Sequence, residues 1–350
     1  MTTTPATYPA ATLTEIVLPG VVEPDGLIVH HRPVPIPGRG EALVELLATG
    51  VSFAEQGMRR NRYPGQPKFP FVLGYDLVGT VTAVGPHVDP ALVGQRVAAV
   101  PRTGGWTTHA VLHARTLVPI PDGLDPAEAE TLVVNGITAW QMLHRKAHVR
   151  AGQTILVHGA NGGVGTTLVQ LARHAGIGVI ATASPRHHET LQRMGAEPID
   201  YNHPDLAGRV RALAPDGVNA VFDHLGGPSF KRSYDLLAPG GTLVAYGFAA
   251  QRDDTTNPIL VFVGVYARFG LWALRPNRRR ALFYNFWGGS RITPARFRQR
   301  LASDLTKVLT LLAEGTLSAH VAARIPLHQA SRAMALAESR TVLGKVVLTP

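Results

Sequence analysis

Residues 154–165, Thr-Ile-Leu-Val-His-Gly-Ala-Asn-Gly-Gly-Val-Gly, decide the fold of this chain. A short apolar run ends in a glycine-rich turn, and a helical pattern follows the turn. A glycine pattern alone is weak evidence, but a strand before it and a helix after it are typical of a dinucleotide-binding loop. The stretch therefore predicts a site for the pyrophosphate of a dinucleotide cofactor, with a purely structural turn as the alternative.

The fingerprint in this loop reads Ala160-x-Gly162-x-x-Gly165, with alanine at the usual first glycine. Gly162 lets the backbone approach the pyrophosphate, and Gly165 lets the helix pack close to the strand. The free N–H groups and the positive end of the helix favour an anion. We expect cofactor contacts from six consecutive residues: Ala160, Asn161, Gly162, Gly163, Val164 and Gly165.

Strands and helices alternate around this loop, from about residue 126 to about residue 247. The strands are predicted at 154–158, 179–183, 220–223 and 242–246, and the helices at 166–174, 187–194 and 229–236. Alternation of this kind builds a doubly wound parallel sheet, so the fold class is α/β with a Rossmann domain.

The flanking regions have other patterns. Residues 13–125 show short apolar stretches between turn signals, which predict a compact all-β, barrel-like domain. Residues 248–292 mix apolar, aromatic and arginine-rich pieces and give no clear assignment. Residues 296–315 predict an amphipathic helix, and 344–348 predict a last strand.

The end of the second Rossmann strand separates NAD from NADP binding. NAD sites usually place an acid there for the ribose 2′-hydroxyl, but this chain has Ser184 and Arg186 and no acid before Glu189. Ser184 can donate a hydrogen bond, and Arg186 can pair with a 2′-phosphate that a carboxylate would repel. We therefore predict NADPH (NADP) as the cofactor; the alternative for Arg186 is a solvated cation.

Composition limits the class of protein. The chain has 350 residues, no cysteine and a formal charge of +10. This length favours two domains. The lack of cysteine excludes disulfides and thiolate metal sites, and it is typical of a reducing compartment, so we expect a cytoplasmic protein. No apolar run reaches the roughly 18 residues of a membrane span. No nucleic-acid motif accompanies the charge, so we do not expect nucleic-acid binding, and the cluster Arg275–Arg280 has no assigned role.

Several motifs together resemble the medium-chain dehydrogenase/reductase superfamily, in its zinc-free quinone oxidoreductase (zeta-crystallin-like) branch. The motifs are Gly50-Val-Ser-Phe-Ala-Glu, Pro70-Phe-Val-Leu-Gly-Tyr-Asp-Leu-Val-Gly-Thr-Val, Gly94-Gln-Arg-Val, Asn135-Gly-Ile-Thr-Ala-Trp and Gly344-Lys-Val-Val-Leu. The resemblance covers about residues 13–350. It implies a GroES-like β-barrel-like catalytic domain at 1–127 and 293–350, with the Rossmann NADP-binding domain at 128–292 between them.

The resemblance also decides the expectation for zinc. Zinc-dependent members have Cys where Ser52 stands and His where Tyr75 stands. Catalytic zinc needs about three protein ligands in fixed geometry. The loss of both leaves no such site, and we predict no metal.

Residue roles follow from the same resemblance. It implies that Thr138 lies near the nicotinamide amide, Tyr201 beside the adenosine 2′-phosphate and Lys345 near the cofactor. Tyr63 matches a pocket tyrosine, either a proton donor or a packed aromatic. Ser52 replaces the usual asparagine and lines the pocket. We take Tyr63 and Ser52 as the candidate catalytic residues, while Glu55 and Asp76 are expected to orient loops.

The predicted function is zinc-independent hydride transfer from NADPH to a quinone or an α,β-unsaturated carbonyl. One alternative is an enoyl reductase that acts on an acyl thioester or a biosynthetic intermediate. Another is an NADPH-binding protein with a nucleic-acid or vesicle-associated role and little turnover. We expect a homodimer, and the aromatic-rich residues 258–292 are expected to line the cleft or to form the dimer contact.

Overall fold

The computed structural model describes residues 12–249 and 258–350 of the chain. The N-terminal part is built from strands, as its short apolar stretches predict. The strands are β1 Thr12–Leu18, β2 Ile28–Pro33, β3 Glu41–Val51, β4 Phe71–Val72, β5 Leu77–Val84, β6 Arg96–Ala99, β7 His109–His113 and β8 Val118–Pro119. One short helix, α1 (Phe53–Arg59), interrupts them.

Strands from the C-terminal part of the chain join the sheet of the N-terminal part, and the two parts together are called the catalytic-type domain below. These are β15 (Val321–Pro326) and β16 (Lys345–Thr349), and the sheet order is β15-β16-β3-β5-β6-β8 with β7 paired to β3. Strands β2, β1 and β4 form a separate three-stranded sheet. Strand β16 pairs antiparallel with β3, so the end of the chain joins the sheet of the N-terminal part.

The second sheet is parallel and has six strands. They are β9 Thr154–His158, β10 Gly178–Ala183, β11 Glu197–Asp200, β12 Val218–Asp223, β13 Leu237–Ala245 and β14 Arg280–Phe283. Their order is β11-β10-β9-β12-β13-β14. This is the doubly wound order, in which successive strands are added first on one side of β9 and then on the other, and ligands bind in the crevice at that switch point. The predicted α/β Rossmann class is confirmed.

Helices cover both faces of the parallel sheet. They are α2 Pro126–Trp140, α3 Gly163–His174, α4 His188–Arg193, α5 Leu206–Leu213, α6 Pro228–Asp235, α7 Pro258–Ala273 and α8 Pro294–Ala313. A further helix, α9 (Ala330–Glu338), packs in the other core, beside β15 and β16. Asp125 caps α2 by accepting the Glu128 N–H at 3.0 Å. A π-helical turn, Gln141–Ala147, continues α2.

Two features differ from the sequence expectations. The unassigned region contains helix α7 and strand β14, and Val265, Phe269 and Trp272 of α7 are buried against the sheet. Helix α8 packs with α2 in the Rossmann core through Leu305 and Val308. The domain boundary at 293 stays a prediction, but the helix that follows it lies on the Rossmann side.

Candidate active site

The glycine loop lies at the carboxyl end of β9, in the centre of the parallel sheet. Helix α3 begins at Gly163 with no side-chain cap, and its first N–H groups face the loop. A methyl group on Gly165 would lie 2.5 Å from the Gly159 carbonyl oxygen, so only glycine permits this approach of helix to strand. Backbone N–H groups and the helix dipole together suit a pyrophosphate, so these residues fit a dinucleotide.

A segment from the far end of the chain borders this loop. Gly344 donates its N–H to the Asn161 carbonyl at 3.0 Å and forms a bridge with Gly162. Farther along the same segment, the carbonyl of Arg340 accepts a bond from the Arg186 guanidinium at 3.4 Å. One stretch of chain, residues 340–344, thus borders both the loop expected at the pyrophosphate and the arginine expected at the 2′-phosphate.

The residues expected at the 2′-phosphate lie together at the end of β10. Tyr201 donates its N–H to the Ala183 carbonyl at 3.3 Å, which places it beside Ser184. The Arg186 side chain is exposed, and Ser184 is half-buried. The residues that follow β10 as far as Arg186 offer hydroxyl and guanidinium donors and no carboxylate, which suits a phosphate better than a free ribose hydroxyl.

Thr138 belongs to a buried polar network on α2. Burial raises the pKa of Tyr284, and a hydrogen bond with Thr138 opposes that shift. Tyr284 donates to Gln141 Oε1 at 3.0 Å, and Gln141 in turn donates to Asp304 at 2.9 Å. The network fixes the segment after β14 against α2, on the side of the sheet where Thr138 is expected to meet the cofactor.

Three aromatic side chains form a hydrogen-bonded chain that links the N-terminal part of the chain to the segment after β14. The phenol oxygens of Tyr63 and Tyr75 lie 2.6 Å apart, and the Trp287 indole N–H donates to Tyr75. The Arg102 guanidinium lies 5.8 Å from the Tyr63 ring centroid and 5.5 Å from that of Trp287. An indole N–H only donates, so the Tyr75 oxygen is an acceptor here and can pass its own proton toward Tyr63.

The two phenols differ in acidity. Burial raises the pKa of Tyr63, while the Tyr75 hydrogen bond and the Arg102 charge lower it. Burial raises the pKa of Tyr75 further, and the neighbouring Tyr63 adds to that rise. Tyr63 is therefore the phenol of this pair that gives up a proton more readily.

Ser52 stands at the start of α1, where it is tied to Glu55. The Ser52 N–H donates to Glu55 Oε2 at 3.0 Å, and the Ser52 hydroxyl donates to the same oxygen. Glu55 Oε1 accepts the Tyr75 N–H at 2.7 Å. Burial and the charge of Asp76 raise the pKa of Glu55 to about 7. Glu55 thus orients both residues that replace zinc ligands.

Lys345 lies in a buried ion cluster between the domains. Its ammonium is 2.8 Å from Asp76 Oδ2 and 2.6 Å from Glu130 Oε1. Asp76 also accepts the Val134 N–H of α2 at 3.2 Å. Burial alone would lower the pKa of Lys345, but the two carboxylates outweigh burial and raise it. The cofactor contact of Lys345 stays a prediction, and in this structure its ammonium is occupied by the two carboxylates.

The positions that hold zinc in other dehydrogenases carry a hydroxyl, Ser52, and a phenol, Tyr75. Within residues 12–249 and 258–350, no cluster of three or more His, Asp or Glu side chains could hold a metal ion. In the same ranges no helix is long and apolar enough to cross a membrane.

Comparison with known proteins agrees with this geometry. Residues 38–122 match the alcohol dehydrogenase GroES-like domain, and residues 194–348 match the zinc-binding dehydrogenase family. The human synaptic vesicle membrane protein VAT-1 homolog is 30% identical over 343 residues, which cover 96% of this chain and 86% of that protein. A 2-haloacrylate reductase from Burkholderia is 31% identical over 337 residues, 93% of this chain and 96% of the relative.

A mycobacterial protein solved in complex with NADPH superposes with a TM-score of 0.82 at 29% identity, covering 97% of this chain and 100% of the other. The chain belongs to the medium-chain dehydrogenase/reductase superfamily. Within this superfamily the chain belongs to the zinc-free quinone oxidoreductase branch. The protein is accordingly an oxidoreductase of a family that uses NAD(P)H.

Several features of this medium-chain dehydrogenase/reductase site were not predicted from sequence. Trp287 and Arg102 were missed as partners of Tyr63. Arg340 was missed as a neighbour of Arg186. His224, at the end of β12, was missed as well; its Nδ1 is buried without a partner, and burial lowers its pKa to about 4. Of these, only His224 had a signal, because polar residues at carboxyl ends of parallel strands face the ligand crevice.

Proposed function

We propose that the protein reduces a quinone or an α,β-unsaturated carbonyl with NADPH. The observation that carries the proposal is the aromatic hydrogen-bonded chain, Tyr63–Tyr75–Trp287, at the position of the zinc site. A site without a Lewis acid suits acceptors that are already electrophilic, because hydrogen bonds are then enough to stabilise the developing oxyanion. Aromatic walls suit flat or bulky apolar substrates.

NADPH is held, in this proposal, by residues 160–165 at the pyrophosphate and by Ser184, Arg186 and Tyr201 at the 2′-phosphate. Thr138 lies near the nicotinamide amide. When bound, NADPH supplies the hydride. The family relationship, the absence of an acid after β10 and the exposed Arg186 guanidinium support NADPH over NADH.

Tyr63 is the proposed proton donor to the reduced acceptor. Once its proton has left, the phenolate accepts a hydrogen bond from Tyr75, whose oxygen is itself polarised by the Trp287 N–H. The Arg102 guanidinium over the Tyr63 ring stabilises the negative charge further. The Ser52 hydroxyl is proposed to line the pocket and to hydrogen-bond the substrate, with Glu55 fixing its orientation.

The test is turnover by the purified protein, followed by loss of nicotinamide absorbance. Benzoquinone, phenanthrenequinone, a simple enone and crotonyl-CoA are offered as acceptors, with NADPH or NADH as donor. We expect quinone or enone reduction with NADPH and much slower reaction with NADH. A marked preference for crotonyl-CoA would transfer the assignment to an enoyl reductase. NADPH binding without turnover of any acceptor would contradict the proposal.

A further inference from the structure

Arg102 lies beside the proposed proton donor, Tyr63, and is half-buried. Its guanidinium is 5.8 Å from the centroid of the Tyr63 ring and 5.5 Å from that of Trp287, so both rings attract the charge. Within residues 12–249 and 258–350, no carboxylate forms an ion pair with Arg102. A partly desolvated cation without a counter-ion favours the binding of an anion.

Most hydrogen-bonding groups of Arg102 are unused. A guanidinium has five N–H donors, and the described residues engage one of them, since Nη2 donates to the Pro64 carbonyl at 2.8 Å. The Nε is buried and has no partner in the same ranges. Gln66, two residues after Pro64, also has a buried amide that no described residue contacts by a hydrogen bond. Buried donors left unpaired cost free energy, which a ligand that accepts from them would recover.

The acidic residue near Tyr63 does not neutralise this charge. Glu55 accepts the N–H groups of Ser52 at 3.0 Å and of Tyr75 at 2.7 Å, so both of its oxygens are engaged. The loop that follows is basic, because residues 56–75 contain three arginines, one lysine and no Asp or Glu. Two of those arginines pair with Glu338. The remaining positive charge attracts an anion to this side of the domain.

The backbone fixes the position of Arg102. Its φ is 78°, in the left-handed region that residues other than glycine rarely adopt. Its N–H donates to the Tyr75 carbonyl at 3.2 Å, and the Gly105 N–H donates to the Gly74 carbonyl at 3.0 Å. Unfavourable backbone conformations persist where the surrounding structure fixes them, and they cluster at ligand-binding sites. The guanidinium is therefore presented from a rigid loop next to Tyr63.

We propose that Arg102 binds a carboxylate of the acceptor, so that the substrate is an α,β-unsaturated carbonyl compound that also carries a carboxylate. This inference rests on the proposed reductase function. A guanidinium and a carboxylate are both planar and pair through two parallel hydrogen bonds. The carboxylate takes no part in hydride transfer, and its pairing places the unsaturated carbonyl beside Tyr63. A neutral quinone leaves the guanidinium unpaired and is the poorer acceptor.

The test compares β-acetylacrylate with its primary amide, with NADPH as donor. For each variant we take the ratio of kcat/KM for the carboxylate to kcat/KM for the amide. Arg102→Gln removes a charge beside Tyr63 and is expected to slow both acceptors, an effect that cancels in the ratio. The ratio itself should fall by about tenfold to 100-fold, the range for loss of a hydrogen bond between charged groups. Arg102→Lys keeps the charge and should lose less.

Arg96→Gln is the matched control. Arg96 lies on β6 of the same domain, is also half-buried, and donates to one backbone carbonyl, that of Leu124. This variant should keep the parent ratio, and circular dichroism checks that each variant is folded. An unchanged ratio in Arg102→Gln, or an equal fall in Arg96→Gln, would overturn the proposal, although reduction of the neutral amide would still support the reductase function.

Calorimetric titration of the NADP-loaded protein gives a readout that needs no turnover. Levulinate, the saturated product, should bind at least about tenfold more tightly than levulinamide, and Arg102→Gln should abolish this preference. If no acceptor is reduced, the proposed reductase function fails and the titration alone decides. A preference for levulinate that depends on Arg102 would then support the carboxylate site, and equal binding of levulinate and levulinamide would overturn it.

Discussion

The phenol oxygens of Tyr63 and Tyr75 lie 2.6 Å apart, and the second also accepts the Trp287 indole N–H. This arrangement makes Tyr75 a donor to Tyr63 and leaves the Tyr63 proton for a ligand. It also explains why a phenol can stand where related dehydrogenases have a histidine ligand. In this chain the position holds a hydrogen-bond network instead of a metal.

Replacing Tyr63 by Phe should show whether Tyr63 acts as a proton donor or only as a packed aromatic side chain. If Tyr63 donates the proton, Tyr63→Phe lowers kcat by about 100-fold while KM changes little, which is the usual size for a general acid. The rate of Tyr63→Phe should also lose its decline at alkaline pH. Tyr266→Phe is the matched control, because Tyr266 is exposed on α7. Unchanged kcat in Tyr63→Phe would make Tyr63 a packing residue.

Arg186 should control the choice of cofactor. Arg186→Ala is expected to raise KM for NADPH by about tenfold to 100-fold, which corresponds to the loss of a charge-assisted hydrogen bond. KM for NADH should stay the same, since NADH has no 2′-phosphate. Arg193→Ala is the control, as this arginine is exposed and faces Glu189 at 3.8 Å. Equal effects on both cofactors would place Arg186 outside the phosphate site.

Gly165 should tolerate no side chain. In Gly165→Ala the new methyl group meets the Gly159 oxygen at 2.5 Å and the Ala160 backbone at 2.7 Å, so helix α3 must move away from β9. We expect a loss of about 1–3 kcal/mol in stability and at least about tenfold weaker NADPH binding, measured by fluorescence titration. Gly20→Ala is the control, because a methyl group at Gly20 would have no other atom within 4 Å. Normal NADPH affinity in Gly165→Ala would contradict the inference that NADPH binding needs helix α3 to pack close to β9.

Lys345 should matter for stability because it neutralises two buried carboxylates. Lys345→Met leaves Asp76 and Glu130 buried without a cation, which typically costs about 3–5 kcal/mol. The loss should be smaller at acidic pH, because burial raises the pKa of Glu130 and the protonated carboxyl needs no cation. Urea unfolding at two pH values measures it. Lys146 is exposed, so the control variant Lys146→Met should unfold like the parent protein. If Lys345→Met also unfolded like the parent protein, the ion cluster would not be buried as described.

Glu55 should make stability depend on pH. Its pKa is raised from 4.5 to about 7 by burial first and then by Asp76, so the folded protein holds a proton that the unfolded chain releases. The stability linked to this proton is fully present below about pH 4.5 and is lost as pH rises toward 7, by at most about 3 kcal/mol. Glu55→Gln should remove this slope in denaturant unfolding between pH 5 and pH 7. A slope that persists in Glu55→Gln would assign it to other groups.

The sequence predicts the parts of this fold that depend on local pattern. The strand, glycine turn and helix around residues 154–165 are predictable because period and spacing are local properties. Helix α7 is not, since both of its faces are apolar and no 3.6-residue period stands out. The site was only partly predictable. Tyr75 and Trp287, or Lys345 and Asp76, meet across more than 200 positions of sequence, and a single sequence contains no signal for such pairs.

Strand β16 lies inside the sheet of the catalytic-type domain, between β15 and β3. Val346 pairs with Val51, so the partner of an early strand is synthesised roughly 300 residues later. Until then the outer part of β3 is an open edge, and open edges invite pairing with other chains. During translation the Rossmann sheet can therefore form before the catalytic-type domain is complete, although the synthesis of that domain begins first. Nascent chains that stall before β16 is made keep the open edge of β3 and remain prone to aggregation.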